Sequence, residues 1–187
     1  MYRSGKQVRF MKNQKGFTLV ELMVVMVILG ILAALGLGSF RSSQMKGRDN
    51  QRKGELRSVA AAFELYYNDY GTYPNDNGSG KITACGSGGT TVCDWGNEFK
   101  DKNDTLYMVE LPIDPLVGYT YYYDVLGTNN TSFQLYARLE NTEDPGVSKS
   151  GGNPQVYGGL SCGLKVCNYG IASTNTTPGA GRTLVNE

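Results

Sequence analysis

The chain has 187 residues with 18 basic and 17 acidic side chains, four cysteines and no histidine, a length that suits one ordinary domain plus an N-terminal segment. The nearly neutral charge excludes the strongly basic surface of a general nucleic-acid-binding protein, so no nucleic-acid partner is expected. The sequence contains no recognisable nucleophile and base pair and no phosphate-binding loop, so it predicts a protein that is not an enzyme.

An apolar stretch dominates the N-terminal part of the chain. Residues 1–16 carry five basic side chains and no acid, whereas residues 17–40 contain a single charged side chain, Glu21. A helix of that length is about 36 Å long, at roughly 1.5 Å per residue, and can cross a hydrocarbon layer about 30 Å thick. The composition therefore predicts one membrane-spanning helix over residues 17–40.

Glu21 lies one turn into this apolar stretch rather than in its flank. An ionised carboxylate inside a bilayer costs about 2.5 kcal/mol or more, and such a residue commonly has a partner or a function. A carboxylate near a helix end can instead extend along the helix to the lipid headgroups. The residue by itself leaves both interpretations open.

The segment over residues 15–35 reads Lys-Gly-Phe-Thr-Leu-Val-Glu followed by an unbroken apolar run. It resembles the prepilin signal of type IV pilins and type II secretion pseudopilins. The resemblance implies that a membrane peptidase cuts between Gly16 and Phe17 and methylates the new amino terminus. It also implies that Glu21 pairs with the α-ammonium group of Phe17 on a neighbouring subunit, which would set the register of assembly because each charge is costly when unpaired.

Residues 1–16 are accordingly predicted to be a leader, which an ordinary secretory signal with its shorter apolar core matches less well. Translation from Met11 instead of Met1 would leave a leader of six residues, a length common in the family, and both start sites stay open. Residues 41–57 are also net positive, so the positive-inside tendency says little about orientation. The resemblance implies a cytoplasmic leader and an outer C-terminal part.

Two glycines, Gly36 and Gly38, interrupt the apolar run near its end. Each costs a helix about 1 kcal/mol relative to alanine. Many pilins have a proline where Gly38 stands, so this chain lacks an enforced kink. We expect a weak point in the helix, such that residues 36–43 are helical in the monomer and can stretch in a filament.

The helix is predicted to continue to about Tyr70, because apolar side chains recur at steps of three or four residues. This stripe, predicted to pack on a sheet, consists of Leu56, Val59, Phe63, Tyr66 and Tyr70. Four charged side chains lie off the stripe, where they are either solvated or paired between subunits: Arg48, Arg52, Glu55 and Arg57. Gly71 fits a C-terminal cap and Pro74 a stop, and the Tyr73-Pro74 pair again resembles the end of the pilin helix.

The four cysteines fall in two pairs that are close in sequence, Cys85 with Cys93 and Cys162 with Cys167. Their spacing is not that of two C-x-x-C zinc hooks, and disulfides are common in exported domains. Disulfides are therefore expected, with local pairing the simplest of three connectivities and four free thiols as the alternative.

The middle of the chain is predicted to connect the helix to a sheet. Residues 75–97 are rich in glycine and polar residues and indicate a loop, and residues 98–111 indicate a short helix. Residues 111–115, Leu-Pro-Ile-Asp-Pro, resemble the motif that leads into the first strand of G-type pseudopilins, although Leu116 replaces the usual aromatic residue. Residues 119–126 and 132–140 favour strands, and the turn-rich residues between them predict an antiparallel hairpin.

The acidic turn after this hairpin contains Glu140, Glu143 and Asp144. Major pseudopilins bind calcium in a loop after their strands, and carboxylates suit that ion, but the family's Asp-Gly-rich calcium pattern is absent. The turn is therefore a weak calcium candidate beside the alternative of a solvated loop, and no cofactor is expected. Residues 168–172 predict an edge strand, and the last dozen residues predict a disordered tail.

The resemblance covers about residues 11–140 and implies the α+β type IV pilin fold, in which a long N-terminal helix with a membrane-inserted first half packs its second half on a small antiparallel β-sheet. The domains are then a leader (1–16), the helix (17–70) and an outer globular part with its tail (71–187). The implied function is that of a filament subunit, either a pilin or a type II secretion pseudopilin, which prepilin peptidase processes. An alternative is a minor tip pilin that binds DNA or a surface.

The resemblance also implies where the protein resides and with what it assembles. The chain would cross the cytoplasmic membrane once and then enter a homo-oligomeric helical filament, either periplasmic or on the cell surface. The implied partners are prepilin peptidase, the inner-membrane assembly platform with its ATPase, and the membrane itself. The missing calcium pattern and the cysteine-bearing tail slightly favour a surface pilus over a secretion pseudopilus.

Overall fold

A computed structural model of the chain describes residues 16–187, apart from the side chains of residues 35–39. Within these residues one long helix, α1 (Leu19–Tyr70), precedes a series of short antiparallel strands. The strands are β1 (Asn75–Asp76), β2 (Ile82–Cys85), β3 (Thr91–Cys93), β4 (Phe99–Lys100), β5 (Leu106–Met108), β6 (Tyr122–Leu126), β7 (Ser132–Ala137), β8 (Lys149–Ser150), β9 (Asn153–Tyr157), β10 (Tyr169–Ala172) and β11 (Leu184–Asn186). The predicted α+β class, with its long N-terminal helix, is confirmed.

Two compact units make up the chain, divided between Ser42 and Ser43. The first unit contains the start of α1, and the second contains the rest of α1 and all of the strands. The predicted leader lies outside the described residues except for Gly16, and so do both candidate start methionines.

In the first unit, the large apolar side chains from Phe17 to Leu32 are all exposed, by 51% to 87%. No helix among the described residues is both long enough and apolar enough to cross a membrane. The predicted span of residues 17–40 includes the five residues whose side chains are not described.

In the second unit, the predicted apolar stripe of α1 faces the core. Leu56, Val59 and Phe63 are buried, and the Phe63 ring lies 5.3 Å from that of Phe133 in β7. The helix ends at Tyr70, where the stripe predicted its end, and Gly71 follows with a φ of +68°. Glycine adopts this conformation without steric cost and serves as the C-terminal cap.

The central sheet has the strand order β10, β7, β6, and all its pairs are antiparallel. Pairing of Val125 with Phe133 sets the register of the predicted hairpin, which the structure confirms. Gly127 and Asn130 adopt positive φ angles of 88° and 50° in the turn that joins its strands. The predicted edge strand after residue 168 is also present, as β10.

Both faces of β7 are buried, although its sequence alternates between apolar and polar residues. Phe133 and Leu135 point into the core beside α1. Tyr136, on the opposite face, packs with residues of the C-terminal segment in a second cluster. That cluster consists of Tyr136, Tyr157, Leu160, Cys162 and Cys167.

The C-terminal segment is ordered, so the prediction of a disordered tail is wrong. Strand β11 pairs with β9, and β9 pairs with β8, in a second three-stranded sheet. Arg182 forms a salt bridge with Asp124, and Glu187 forms one with Arg138. Polar residues that lack a core of their own are ordered here because they cover the outer face of β7.

The predictions for residues 75–111 are partly wrong. The expected loop contains the sheet β1, β2, β3, and the expected short helix is the hairpin β4 and β5. Ile82 and Ala84 alternate with partly exposed neighbours and are buried, as is Phe99 at the start of β4. These strands have two to four residues each, too few for their alternation to stand out in a glycine-rich sequence.

Candidate assembly site

Reciprocal hydrogen bonds between Thr18 and Glu21 cap the start of α1. The Thr18 backbone N–H and the Thr18 hydroxyl both donate to Glu21 Oε2, at 2.8 and 2.7 Å. The Glu21 backbone N–H donates in return to Thr18 Oγ1 at 3.2 Å. Thr18 is therefore the N-cap residue of a capping box, in which a carboxylate also lies favourably at the positive end of the helix dipole.

The capping box leaves the Glu21 carboxylate accessible. Both bonds from Thr18 end on Oε2, so Oε1 takes part in neither of them. Phe17 is 87% exposed, and a side chain at Gly16 would meet no atom of the described residues within 4 Å. The predicted cleavage bond thus lies four residues before Glu21, just ahead of the start of α1.

The surface that follows the capping box is apolar on every side. Its exposed side chains include Leu22, Val25 and Met26 beside Glu21. Such a surface is not stable in water and requires a cover of lipid or of other apolar helices. A carboxylate at one end of it is costly in either environment unless a cation pairs with it.

The capping box was not predicted from the sequence, although Thr-x-x-Glu before an apolar run is its usual signature. Gly36 and Gly38 lie inside α1. Their role as a weak point stays a prediction, as do the cleavage after Gly16 and the pairing of Glu21.

A second arrangement, in the second unit, surrounds the fully buried side chain of Arg52. Its Nε and Nη2 donate to the two carboxylate oxygens of Asp114, each at 2.7 Å. Its Nη1 donates to Asp49 Oδ1 and to Glu140 Oε1, each at 2.8 Å. Arg48 binds both oxygens of Glu140 at 2.7 Å. We call these five side chains the arginine cluster.

The arginine cluster also fixes the backbone around it. Asp49 accepts hydrogen bonds from the backbone N–H groups of Glu140 and Asn141, at 2.9 and 2.8 Å. Asp114 accepts one from the N–H of Leu116 at 2.9 Å. The cluster therefore joins α1 to the proline-flanked segment before β6 and to the loop after β7.

Hydrogen bonds to oppositely charged side chains keep Arg52, Glu140 and Asp144 charged. Burial alone would lower the pKa of Arg52, but its hydrogen bonds to Asp114 and Glu140 raise it above its ordinary value. The hydrogen bond from Arg48 lowers the pKa of Glu140. Burial opposes ionisation of Asp144, yet the hydrogen bond from Lys53, at 2.5 Å, lowers the pKa of that carboxyl.

The structure corrects the expectation for the charges that lie off the apolar stripe. Arg48 and Arg52 pair within the chain, and the Tyr121 hydroxyl donates to Glu55. Arg57, the fourth of these charged side chains, is exposed, as the solvated alternative expects. The sequence could not indicate this result, because the partner Asp114 is 62 residues away from Arg52.

The three calcium candidates do not converge on one point. Glu140 binds the two arginines, Asp144 binds Lys53, and the Glu143 carboxylate accepts from Lys149 at 2.6 Å. Among the residues that the structure describes, no group of three or more side chains is arranged to hold a metal ion. The three carboxylates are therefore paired separately with basic side chains, and calcium binding at this turn stays a prediction.

Both expected disulfides are present with local pairing, Cys85 with Cys93 and Cys162 with Cys167. The first joins the paired strands β2 and β3. The second closes a short loop inside the second cluster, where both cysteines are fully buried.

Comparison with known proteins shows a family match at the N-terminus. A family model described as the prokaryotic N-terminal methylation motif matches residues 11–37. The type II secretion system core protein G of Pseudomonas aeruginosa is 35% identical over 127 residues, which cover 67% of this chain and 83% of that protein.

Two pilins are similar over a shorter stretch. Fimbrial protein EcpC of Eikenella corrodens is 42% identical over 79 residues, and type IV major pilin protein PilE of Neisseria gonorrhoeae is 35% identical over 74 residues. Each alignment covers 40% of this chain, and the chain spans less than half the length of either pilin. No solved structure is significantly similar to the chain.

Proposed function

Because this chain belongs to the family of type IV pilins and type II secretion pseudopilins and is a structural subunit of a pilus-like filament, we propose how its first turn directs assembly. Prepilin peptidase cuts after Gly16, and the new α-ammonium group of Phe17 becomes the positive partner of Glu21 on a neighbouring subunit. The observation that carries the proposal is the exposed carboxylate at the start of an apolar, uncovered helix.

The capping box supports this role for Glu21. Thr18 holds the carboxylate through Oε2, which leaves Oε1 for a second donor. In an apolar surrounding, the pair is favourable only when both charges meet, so a subunit shifted along the filament axis leaves two unpaired charges. The pair therefore selects one register.

The same features support a location in two stages. The anchored precursor holds residues 17–40 in the cytoplasmic membrane, with the C-terminal unit outside. The assembly platform with its ATPase then extracts the helix into a homo-oligomeric filament, where neighbouring helices replace lipid as its cover. In this role the chain is a building block and not an enzyme.

The extent of the similarity favours a pseudopilus-type subunit over the surface pilus that the missing calcium pattern and the cysteine-bearing tail slightly favoured. Residues 1–70, up to the end of α1, are too few to contain the 127-residue alignment with core protein G. The alignment therefore also includes residues that follow α1. The alignments with the two pilins are about as long as the N-terminal segment and α1 together. No observation favours the alternative of a minor tip pilin that binds DNA or a surface.

The test replaces Glu21 with alanine in the full-length precursor. We expect membrane insertion and leader cleavage to continue, while filament formation falls below detection because the α-ammonium group lacks its partner. Cell fractionation, N-terminal sequencing and electron microscopy of sheared filaments measure the three steps. Glu110→Ala, which removes an exposed acid from the second unit, is the matched control and should assemble normally.

Two results would contradict the proposal. Normal filaments from Glu21→Ala would remove the register pair. A mature N-terminus other than Phe17 would remove its positive partner.

A further inference from the structure

The loop over residues 140–147, which follows β7, is bound to α1 by three basic side chains. Arg48 and Arg52 donate to Glu140, and Lys53 Nζ lies 2.5 Å from Asp144 Oδ1. Arg48 and Arg52 lie one turn apart on α1, and Lys53 directly follows Arg52. The loop is therefore attached at both its beginning and its middle.

Backbone hydrogen bonds complete the attachment. Asp49 accepts the N–H groups of Glu140 and Asn141. The Asp144 oxygen that binds Lys53 also accepts the N–H of Gly146 at 2.8 Å, and the N–H of Val147 donates to the Asp144 carbonyl at 3.0 Å. The carboxylate oxygens that face α1 thus already have partners.

The charge of this region is almost balanced. Asp49, Asp114, Glu140, Glu143 and Asp144 carry five negative charges, and Arg48, Arg52, Lys53 and Lys149 carry four positive charges. A calcium ion requires six to eight oxygen ligands at about 2.3–2.6 Å. To bind here it would have to displace N–H donors from those oxygens and would reverse the sign of the net charge.

We propose that the side-chain cations of α1 hold the loop over residues 140–147 in the place where a calcium ion would hold an acidic loop of this kind, so that the folded protein neither needs nor binds calcium there. The inference concerns how the subunit folds and is independent of the register pair at Glu21. Its tests do not involve filament assembly, so either proposal can fail without the other.

The first test is thermal unfolding of the full-length chain in detergent, followed by fluorescence of Trp95, the single tryptophan. Extracellular calcium modules have dissociation constants of about 0.1–1 mM. At about 10 mM calcium, such a site would raise the Tm by roughly 3–11 °C. We expect the same Tm in calcium and in chelator, and a rise of that size in calcium would overturn the proposal.

The second test removes one cation while keeping its aliphatic stem. Lys53→Met should lower the Tm by roughly 2–4 °C and should speed hydrogen exchange of the backbone amides in the loop, because Asp144 loses its partner. Arg57→Met, on the exposed face of the same helix, is the matched control and should change neither. Unchanged loop exchange in Lys53→Met would show that the cation does not hold the loop.

Discussion

Arg52 combines complete burial with contacts to three carboxylates. Transfer of a guanidinium group from water to a protein interior is costly, and only well-aligned hydrogen bonds offset that cost. The planar fork of arginine matches both oxygens of Asp114, a geometry that lysine cannot reproduce. The residue therefore acts as the connector between α1 and two segments distant in sequence.

Replacement of Arg52 by methionine should be strongly destabilising. Asp49 and Asp114 would remain buried without their cation, a loss of about 3–5 kcal/mol in the free energy of unfolding. Urea unfolding followed by Trp95 fluorescence measures the change. Arg57→Met is the control, expected to lie within about 0.5 kcal/mol of wild type, and a loss equally small in Arg52→Met would contradict the interpretation.

Glu140 should make stability dependent on acid pH. The hydrogen bond from Arg48 lowers its pKa, so the folded protein binds the proton less tightly than the unfolded chain does. The stabilisation is complete above the unfolded pKa of about 4.3 and is lost as the pH falls below it.

The change that tests this dependence is Glu140→Gln, which cannot titrate. Its Tm should be lower than that of wild type at pH 6, and the difference should shrink as the pH falls toward 3. Asp101 and Asp144, whose pKa values are also lowered, would continue to destabilise both proteins in acid. A constant difference in Tm across this range would exclude Glu140 as a contributor.

At the scale of elements, β7 is a central strand whose two faces pack into two different hydrophobic clusters. Its apolar face packs on α1, and the C-terminal segment covers its polar face. Gln134 on that face donates to the carbonyl groups of Thr177 and Ala180, at 2.7 and 2.9 Å. The alternation of apolar and polar residues along β7 therefore indicates which face packs on α1. It does not indicate that the other face is exposed.

Deletion of residues 182–187 should lower stability without disrupting the core beside α1. Arg138, which is 4% exposed, would lose its salt bridge to Glu187, and β9 would lose its partner β11. We expect a loss on the order of 3 kcal/mol. Urea unfolding measures this loss of stability. Hydrogen exchange should become faster at β9 and stay slow at β7. Unchanged stability would indicate that the segment contributes little.

At the scale of the whole molecule, two disulfides stabilise a protein whose strands are mostly short. Each closes a small loop, with sequence separations of 8 and 5 residues. Loops of this size give about 2 kcal/mol each when only the entropy of the unfolded chain is counted. The pairs differ in environment, because Cys85 is partly exposed whereas both cysteines of the other pair are fully buried.

This difference predicts the order of reduction under native conditions. Cys85–Cys93 should react first with a mild reductant, because a thiol can reach its sulfur without unfolding of the second cluster. Differential alkylation followed by mass spectrometry measures the two rates. Reduction of Cys162–Cys167 should follow the rate of unfolding, and equal rates at low reductant would contradict the assignment.

Local sequence determined the features that depend on near neighbours. The apolar period predicted α1 and its buried face, and Gly71 predicted its end. Strand-forming residues on both sides of a polar turn predicted the β6 and β7 hairpin. The N-terminal motif predicted the family and hence the filament function, because its residues are contiguous and specific.

Only the tertiary structure decided which charged side chains meet. Arg52 is 62 residues from Asp114 and 88 from Glu140, so no local pattern could relate them. The order of the C-terminal segment could not be predicted for the same reason. The segment is stabilised by its contacts with β7, and its sequence has no apolar periodicity of its own. Pairing across such distances depends on the packed fold, which brings the partners together and excludes water from between them.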